Sequence, residues 1–171
     1  MQPLHERVAK LKPRLPSASW VRPESQHLTF AFLGEQDDAL VERLAPLLEL
    51  ALANEATFEA RLRGCGFFPN VRRARVGWIG VEPHERFEDV ARAVRTAVEA
   101  AGVTLDRADF RAHLTLMRIR DAWPPLAVQT FEAGLRDFVS EPFALRDVTL
   151  YSSRLNPSGA IHTPLRRFPL A

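Results

Sequence analysis

The pattern His-Leu-Thr-apolar occurs twice in this chain and limits the folds that can hold it. The copies, His27-Leu28-Thr29-Phe30 and His113-Leu114-Thr115-Leu116, lie 86 residues apart in a sequence of 171. Each sits in a run that reads as β-strand. Side chains alternate faces along a strand, so His and Thr at i and i+2 share one face and the leucine between them takes the other. Each copy therefore offers an imidazole and a hydroxyl on one surface, backed by an apolar wall. A fold that uses both copies needs two such strands, one from each half of the chain.

The remaining sequence supplies matching elements. Leu4, Val8, Leu11 and Leu15 recur at helical spacing, and Pro13 and Pro16 end that helix. Trp20-Val21 and residues 26–33 read as strand, with Gly34 as a stop. Asp37 or Asp38 is placed to cap a helix carrying Leu40, Leu44, Leu47, Leu48 and Leu52, in which Pro46 predicts a kink or a split. Residues 58–62 read as strand, 64–70 as a loop with two glycines and two aromatics, and 75–81 as a β-branched strand. Phe87, Val90, Ala91, Val94, Ala97, Val98 and Ala101 form a helical stripe closed by Gly102. Residues 112–119 hold the second motif, 126–139 read as helix, and 143–151 and 161–168 as strands joined by the turn Asn156-Pro157-Ser158-Gly159. Strands follow one another without regular helical crossovers, which favours antiparallel α+β over a doubly wound sheet. No Gly/Ser or charged linker divides the chain. Residues 1–171 therefore read as one two-lobed, pseudo-twofold domain. Two antiparallel β-sheets line a central cleft and helices cover the outer faces.

Composition narrows the function. No apolar run approaches the ~20 residues that span a bilayer, and the N-terminus lacks the apolar core of a signal peptide. The single cysteine, Cys65, excludes an internal disulfide and suits a reducing, cytoplasmic compartment. The net charge is only +2, but its positive part is mostly arginine. The arginines cluster at Arg72-Arg73-Ala74-Arg75, Arg118-Ile119-Arg120 and Arg166-Arg167. Arginine grips phosphate through a planar fork of donors, so a phosphate-bearing partner fits. Solvated surface charge accounts for any one cluster equally well.

A lone His-x-Thr is more often structural than functional. Two copies with the same Leu and apolar neighbours change that balance. Together they give two acid/base groups and two hydroxyl donors, a set that suits a phosphodiester, where one oxygen is activated and another protonated. His5, His84 and His162 lack the pattern. A zinc site would want three or four ligands, and no Cys pair, His-x-x-x-His or acidic triad accompanies the histidines. The phosphate-binding loop G-x-x-x-x-G-K-[ST], the G-x-G-x-x-G fingerprint and the G-x-S-x-G elbow are also missing. The paired-histidine chemistry thus calls for neither metal nor cofactor.

Beyond the tetrapeptides, Trp20-Val21-Arg22-Pro23-Glu24 leads into His27, and Gly64 to Val81 carries Phe68-Pro69-Asn70 and Trp78. Phe110-Arg111-Ala112-His113-Leu114-Thr115-Leu116-Met117-Arg118 surrounds the second motif. Leu150-Tyr151-Ser152-Ser153-Arg154-Leu155 and Arg167-Phe168-Pro169-Leu170 close the chain. In these segments the sequence resembles the two-histidine phosphoesterases, specifically the RNA 2′,3′-cyclic phosphodiesterases also called 2′-5′ RNA ligases. The family usually opens with an apolar strand before its first helix, whereas here the helical pattern begins at Leu4. The resemblance therefore also implies an unpaired sheet edge where that strand would lie.

The resemblance implies roles. His27 is the proton donor to the leaving oxygen and His113 the acceptor that activates water. Thr29 and Thr115 hold the phosphoryl oxygens. Arg118 matches a phosphate-side arginine, although on an ideal strand it falls on the face opposite His113 and reaches the site only through a bulge. Tyr151 and Phe68 are candidates to stack on a base, or are plain sheet aromatics. The implied partner is RNA bearing a 2′,3′-cyclic phosphate or a 2′-5′ linkage, acted on by a monomer away from membranes. Two rivals stand beside this reading. One is a phosphoesterase for a small cyclic nucleotide such as an ADP-ribose cyclic phosphate, which a closed pocket without a basic track would favour. The other is a non-catalytic RNA-binding module, which would not need a paired acid and base.

Overall fold

A computed structural model describes residues 2–106, 109–156 and 159–171. The chain forms two compact units, each assembled from three separate segments. The first comprises residues up to Thr29 with Ala60–His84 and Arg111–Phe143. The second comprises Phe30–Glu59, Glu85–Phe110 and Ala144–Ala171.

The first unit is built on an antiparallel sheet. Strands β1 (Ser19–Trp20), β2 (Phe58–Phe68), β3 (Val76–Glu82), β4 (His113–Arg118) and β5 (Phe143–Leu145) lie in the order β1-β4-β3-β2-β5. One face carries Leu62, Phe67, Ile79, Val81, Leu114 and Met117, all buried. Helix α4 (Pro125–Leu135) packs there, with Phe131 meeting Phe67 at 5.0 Å. Phe131 and Leu135 are fully buried, and each such side chain contributes about 1.5–3 kcal/mol by leaving water. Helix α1 (Gln2–Leu11) packs on α4. Gly134 is needed at that contact, because a Cβ there would collide with the Leu11 side chain.

In the second unit, α2 (Leu40–Leu52) and α3 (His84–Ala100, which begins one residue before the unit does) face a hairpin of β6 (Asp147–Asn156) and β7 (Gly159–Pro169). Leu44, Leu48 and Leu52 of α2 and Val90, Val94 and Val98 of α3 share a core with Phe168 and Leu170. Phe30, Val148 and Leu150 pack at its margin. The Pro157-Ser158 part of the expected turn lies outside the described residues.

The architecture is antiparallel α+β, as the order of elements predicts, but four local expectations are corrected. Residues 26–33 join no ladder among the described residues. Their exposure still alternates, with His27 and Thr29 exposed and Leu28 and Phe30 half-buried. Alternation fixes which face a side chain takes; it does not supply a neighbouring strand to pair with. The supposed glycine loop is strand through Phe68. The irregularity between Leu62 and Cys65 takes up Gly64, at φ +71°, and the ladder resumes beyond it. Pro46 does not split α2, which runs as one helix through it. It is exposed, so the carbonyl it frees one turn back can turn toward water. Neither Asp37 nor Asp38 caps α2, whose N-cap residue is Ala39; Asp37 pairs with Arg43 at 3.4 Å instead.

Candidate active site

Strand β4 shows two half-buried polar positions, His113 and Thr115, between buried Leu114 and Leu116. The hydrophobic side of the sheet holds the leucines against the core and so turns His113 and Thr115 to the other face. The cross-strand register then decides where Arg118 points. His113 pairs with Gly80, Thr115 with Trp78 and Arg118 with Val76. Residues 76, 78 and 80 alternate regularly and share one face, so their partners 113, 115 and 118 share it too. The extra residue is accommodated by a bulge at Leu116–Met117, two consecutive buried residues. The bulge that sequence parity demanded is present, and Arg118 stands exposed on the His113 face.

His113 is fixed from several sides. Its Nδ1–H donates to the carbonyl of Arg111 at 2.6 Å. A carbonyl can only accept, so the proton sits on Nδ1 and the neutral ring presents Nε2 as its acceptor. Phe68 packs edge-on at 4.8 Å between ring centroids, and Trp78 lies 6.2 Å away. Phe68 is thus a half-buried wall of the site. Burial holds the His113 pKa below the ordinary imidazole value. The Arg111 guanidinium and His27 push the same way, while the hydrogen bond to the Arg111 carbonyl opposes them.

His27 repeats this arrangement without a strand around it. Its Nδ1–H donates to the carbonyl of Ser25, also two residues back, at 2.9 Å. The 3-10 turn Pro23–Ser25 presents that carbonyl. His27 lies close enough to His113 for its charge to be felt there. Thr29 is exposed beyond it, at the last residue of the first unit's opening segment. His27, Thr29, His113 and Thr115 therefore all belong to the first unit, while Phe30, which completes the first motif, opens the second.

Tyr151 belongs to the second unit, on β6. It is about half exposed and edge-on to His162 at 6.3 Å, and His162 Nδ1 and Ser153 Oγ are hydrogen-bonded at 2.8 Å. Two residues not picked out from sequence stand on the His113 face. The Arg111 guanidinium lies 4.7 Å over the Trp78 ring, and Trp78 Nε1 is buried with no hydrogen-bond partner among the described residues. The indole lies across Gly66, where a Cβ would come within 2.6 Å of Cζ2. The available signal was the position of Arg111 two residues before His113; nothing local marks Trp78, which the register of β3 against β4 sets opposite Thr115. Among the described residues no three His, Cys, Asp or Glu side chains gather as a metal site would need, and no helix is long and apolar enough to cross a membrane.

Residues 2–157 match the 2′-5′ RNA ligase superfamily. The chain is 30% identical to the RNA 2′,3′-cyclic phosphodiesterase of Methanothermobacter thermautotrophicus, covering 98% of this chain and 92% of that one. It is 34% identical to the protein of the same name from Archaeoglobus fulgidus, covering 96% and 93%. A crystal structure of a Thermus thermophilus protein superposes with a TM-score of 0.74 at 28% identity, covering 98% and 93%.

Proposed function

The chain belongs to the 2′-5′ RNA ligase superfamily, and on that premise we propose that it opens the 2′,3′-cyclic phosphate at an RNA end by hydrolysis, leaving a 2′-phosphate and a 3′-hydroxyl. The observation that carries this reading is the matched pair of histidines, each giving its Nδ1 hydrogen to a carbonyl two residues earlier. His113, kept neutral by its surroundings, takes a proton from water through Nε2 as the oxygen attacks phosphorus. Protonated His27 gives a proton to the departing 3′-oxygen. Thr29, Thr115 and Arg118 hold the phosphoryl oxygens as charge develops on them. Arginine suits this because its fork matches two oxygens at once. With a ribose 5′-hydroxyl in place of water, the same displacement forms a 2′-5′ linkage, so both activities rest on the same two histidines. The single cysteine suits a reducing compartment, and we place the reaction in the cytoplasm.

The test is incubation of an oligonucleotide 2′,3′-cyclic phosphate with the protein in EDTA, with the product end identified. A 2′-phosphate formed at an undiminished rate is the expected result. A 3′-phosphate would reverse the choice of leaving oxygen, and loss of activity in EDTA would overturn the metal-free mechanism.

A further inference from the structure

One corner of the first unit's sheet carries a concentration of charge of which the reaction itself uses only Arg118. Asn70 Oδ1 accepts hydrogen bonds from the backbone N–H of Arg72 at 3.0 Å and of Arg73 at 3.1 Å, which fixes the turn between β2 and β3. The Arg75 N–H donates to the Phe68 carbonyl and the Arg75 carbonyl accepts from Ile119 N–H, each at 2.8 Å. The Arg75 guanidinium donates to the carbonyl of Arg120. These bonds draw residues 72–75 and 118–120 into one corner, with Arg72, Arg73, Arg75, Arg118 and Arg120 all exposed.

The corner is short of counter-charge, with Asp121 as the acid next to it in sequence. Residues 69–76 and 111–120 contain six arginines and no Asp or Glu, whereas the whole chain is only +2, so the rest carries a net −4. Elsewhere only some of the described arginines are matched to acids, among them Arg43 to Asp37, Arg63 to Glu82, Arg95 to Asp106, Arg166 to Glu49 and Arg167 to Asp147. None of the six forms a salt bridge among the described residues. Apart from Arg118, at its near end, the corner lies too far along the sheet to serve the reacting phosphate. Arg75 stands five residues before Gly80, the partner of His113, or roughly 17 Å at about 3.4 Å per residue.

We propose that Arg72, Arg73, Arg75 and Arg120 form a track for the backbone phosphates of the RNA strand whose cyclic end lies at His113. The inference rests on the activity assigned above and specifies its substrate: an oligonucleotide in preference to a mononucleotide. The strand runs from the His113–Thr115 row past Arg118 and onto the corner, where each guanidinium fork takes one phosphate.

The experiment compares KM for a mononucleoside 2′,3′-cyclic phosphate and for a decamer with the same end, at several salt concentrations. Wild type and Arg72→Ala/Arg73→Ala/Arg120→Ala are read side by side. Wild type is expected to show the steeper salt dependence with the decamer. The triple variant raises KM for the decamer at least ~10-fold more than for the mononucleotide, and flattens the decamer's log–log slope by about 2, from three contacts at roughly 0.7 each. A triple Arg→Lys variant keeps the charge and most of the slope, and a triple Arg→Gln variant, with the same expectations as the Ala variant, replaces the latter if it fails to fold. Equal changes for the two substrates, or an unmoved slope, would overturn the track. If wild type turns over neither substrate, the assigned activity is wrong. The track is then judged by fluorescence anisotropy with an unreactive 3′-hydroxyl decamer, where an affinity unaffected by the three substitutions overturns it.

Discussion

Each histidine of the pair commits one ring nitrogen to the backbone, which sets its orientation before any substrate arrives. Replacing either His27 or His113 by Ala is expected to lower kcat/KM at least ~10²-fold. The double variant should lose far less than the product of the two, because they act as a unit. Near-wild-type turnover in either single variant would remove the assignment. The environment of His113 gives a second expectation. Its pKa is depressed, so it stays unprotonated below the usual imidazole range, and the acid limb of the rate profile lies correspondingly low. The Arg111 charge contributes to that depression. Arg111→Gln is therefore expected to raise the His113 pKa and move the acid limb to higher pH, whereas Arg111→Lys leaves it in place. Identical profiles for the two variants would show that the charge is not felt. The linkage to stability has a definite sign: the folded value lies below the unfolded one. The contribution is present above the ordinary imidazole pKa and is lost as pH falls through the depressed value. By contrast, burial followed by Glu132 pushes the Cys65 thiol up to about 11, so it stays protonated and is a poor nucleophile.

At the scale of single elements, the site depends on how closely β2 and β3 let Trp78 lie. Gly66→Ala would place a methyl group 2.6 Å from the indole and force the ring away from Gly66. Trp78 and Phe68 both pack at His113, so the change is expected to cost about 1–3 kcal/mol by overpacking and to lower kcat as well. Urea unfolding and steady-state kinetics on the same sample check this; unchanged stability and rate would show that the indole has room to shift. The elements also show what a sequence makes legible. The four helices and the motif strand β4 were readable because apolar side chains at periods of 3.6 and 2 record which face is buried. The same alternation marked residues 26–33 as strand, yet pairing depends on a neighbour that no local pattern encodes. Glycines at 64 and 66 suggested a loop because their positions in a bulge and beneath an indole are set by contacts distant in sequence. His27, Thr29, His113 and Thr115 stood out through repetition. Trp78 acquires its place beside His113 only through the register of β3 against β4, whereas Arg111 lies two residues before His113 in the sequence.

Taken as a whole, the chain passes between its two units five times, after Thr29, Glu59, His84, Phe110 and Phe143. This interleaving bears on how the molecule unfolds. If the second unit melted alone, the first would have to hold Phe30–Glu59 and Glu85–Phe110, 30 and 26 residues, as two disordered loops. Closing loops of that length costs about 3 kcal/mol each. The reverse case leaves Ala60–His84 and Arg111–Phe143 as loops, with nearly the same burden. Roughly 6 kcal/mol is a large part of the 5–15 kcal/mol that stabilises a typical domain. Neither half-folded state should therefore accumulate. The distribution of chromophores makes this measurable. Trp20, Trp78 and Trp123 all lie in the first unit. The second holds the longer helices, α2 with 13 residues and α3 with 17, against 10 and 11 in α1 and α4. Tryptophan fluorescence thus follows the first unit, and ellipticity at 222 nm is weighted toward the second. The two urea transitions are expected to coincide in midpoint and slope, the mark of a single cooperative step. A fluorescence midpoint clearly displaced from the ellipticity midpoint would mean that one unit stands without the other despite its loops. The interleaved connections would then contribute little to holding the two histidine motifs in their common frame.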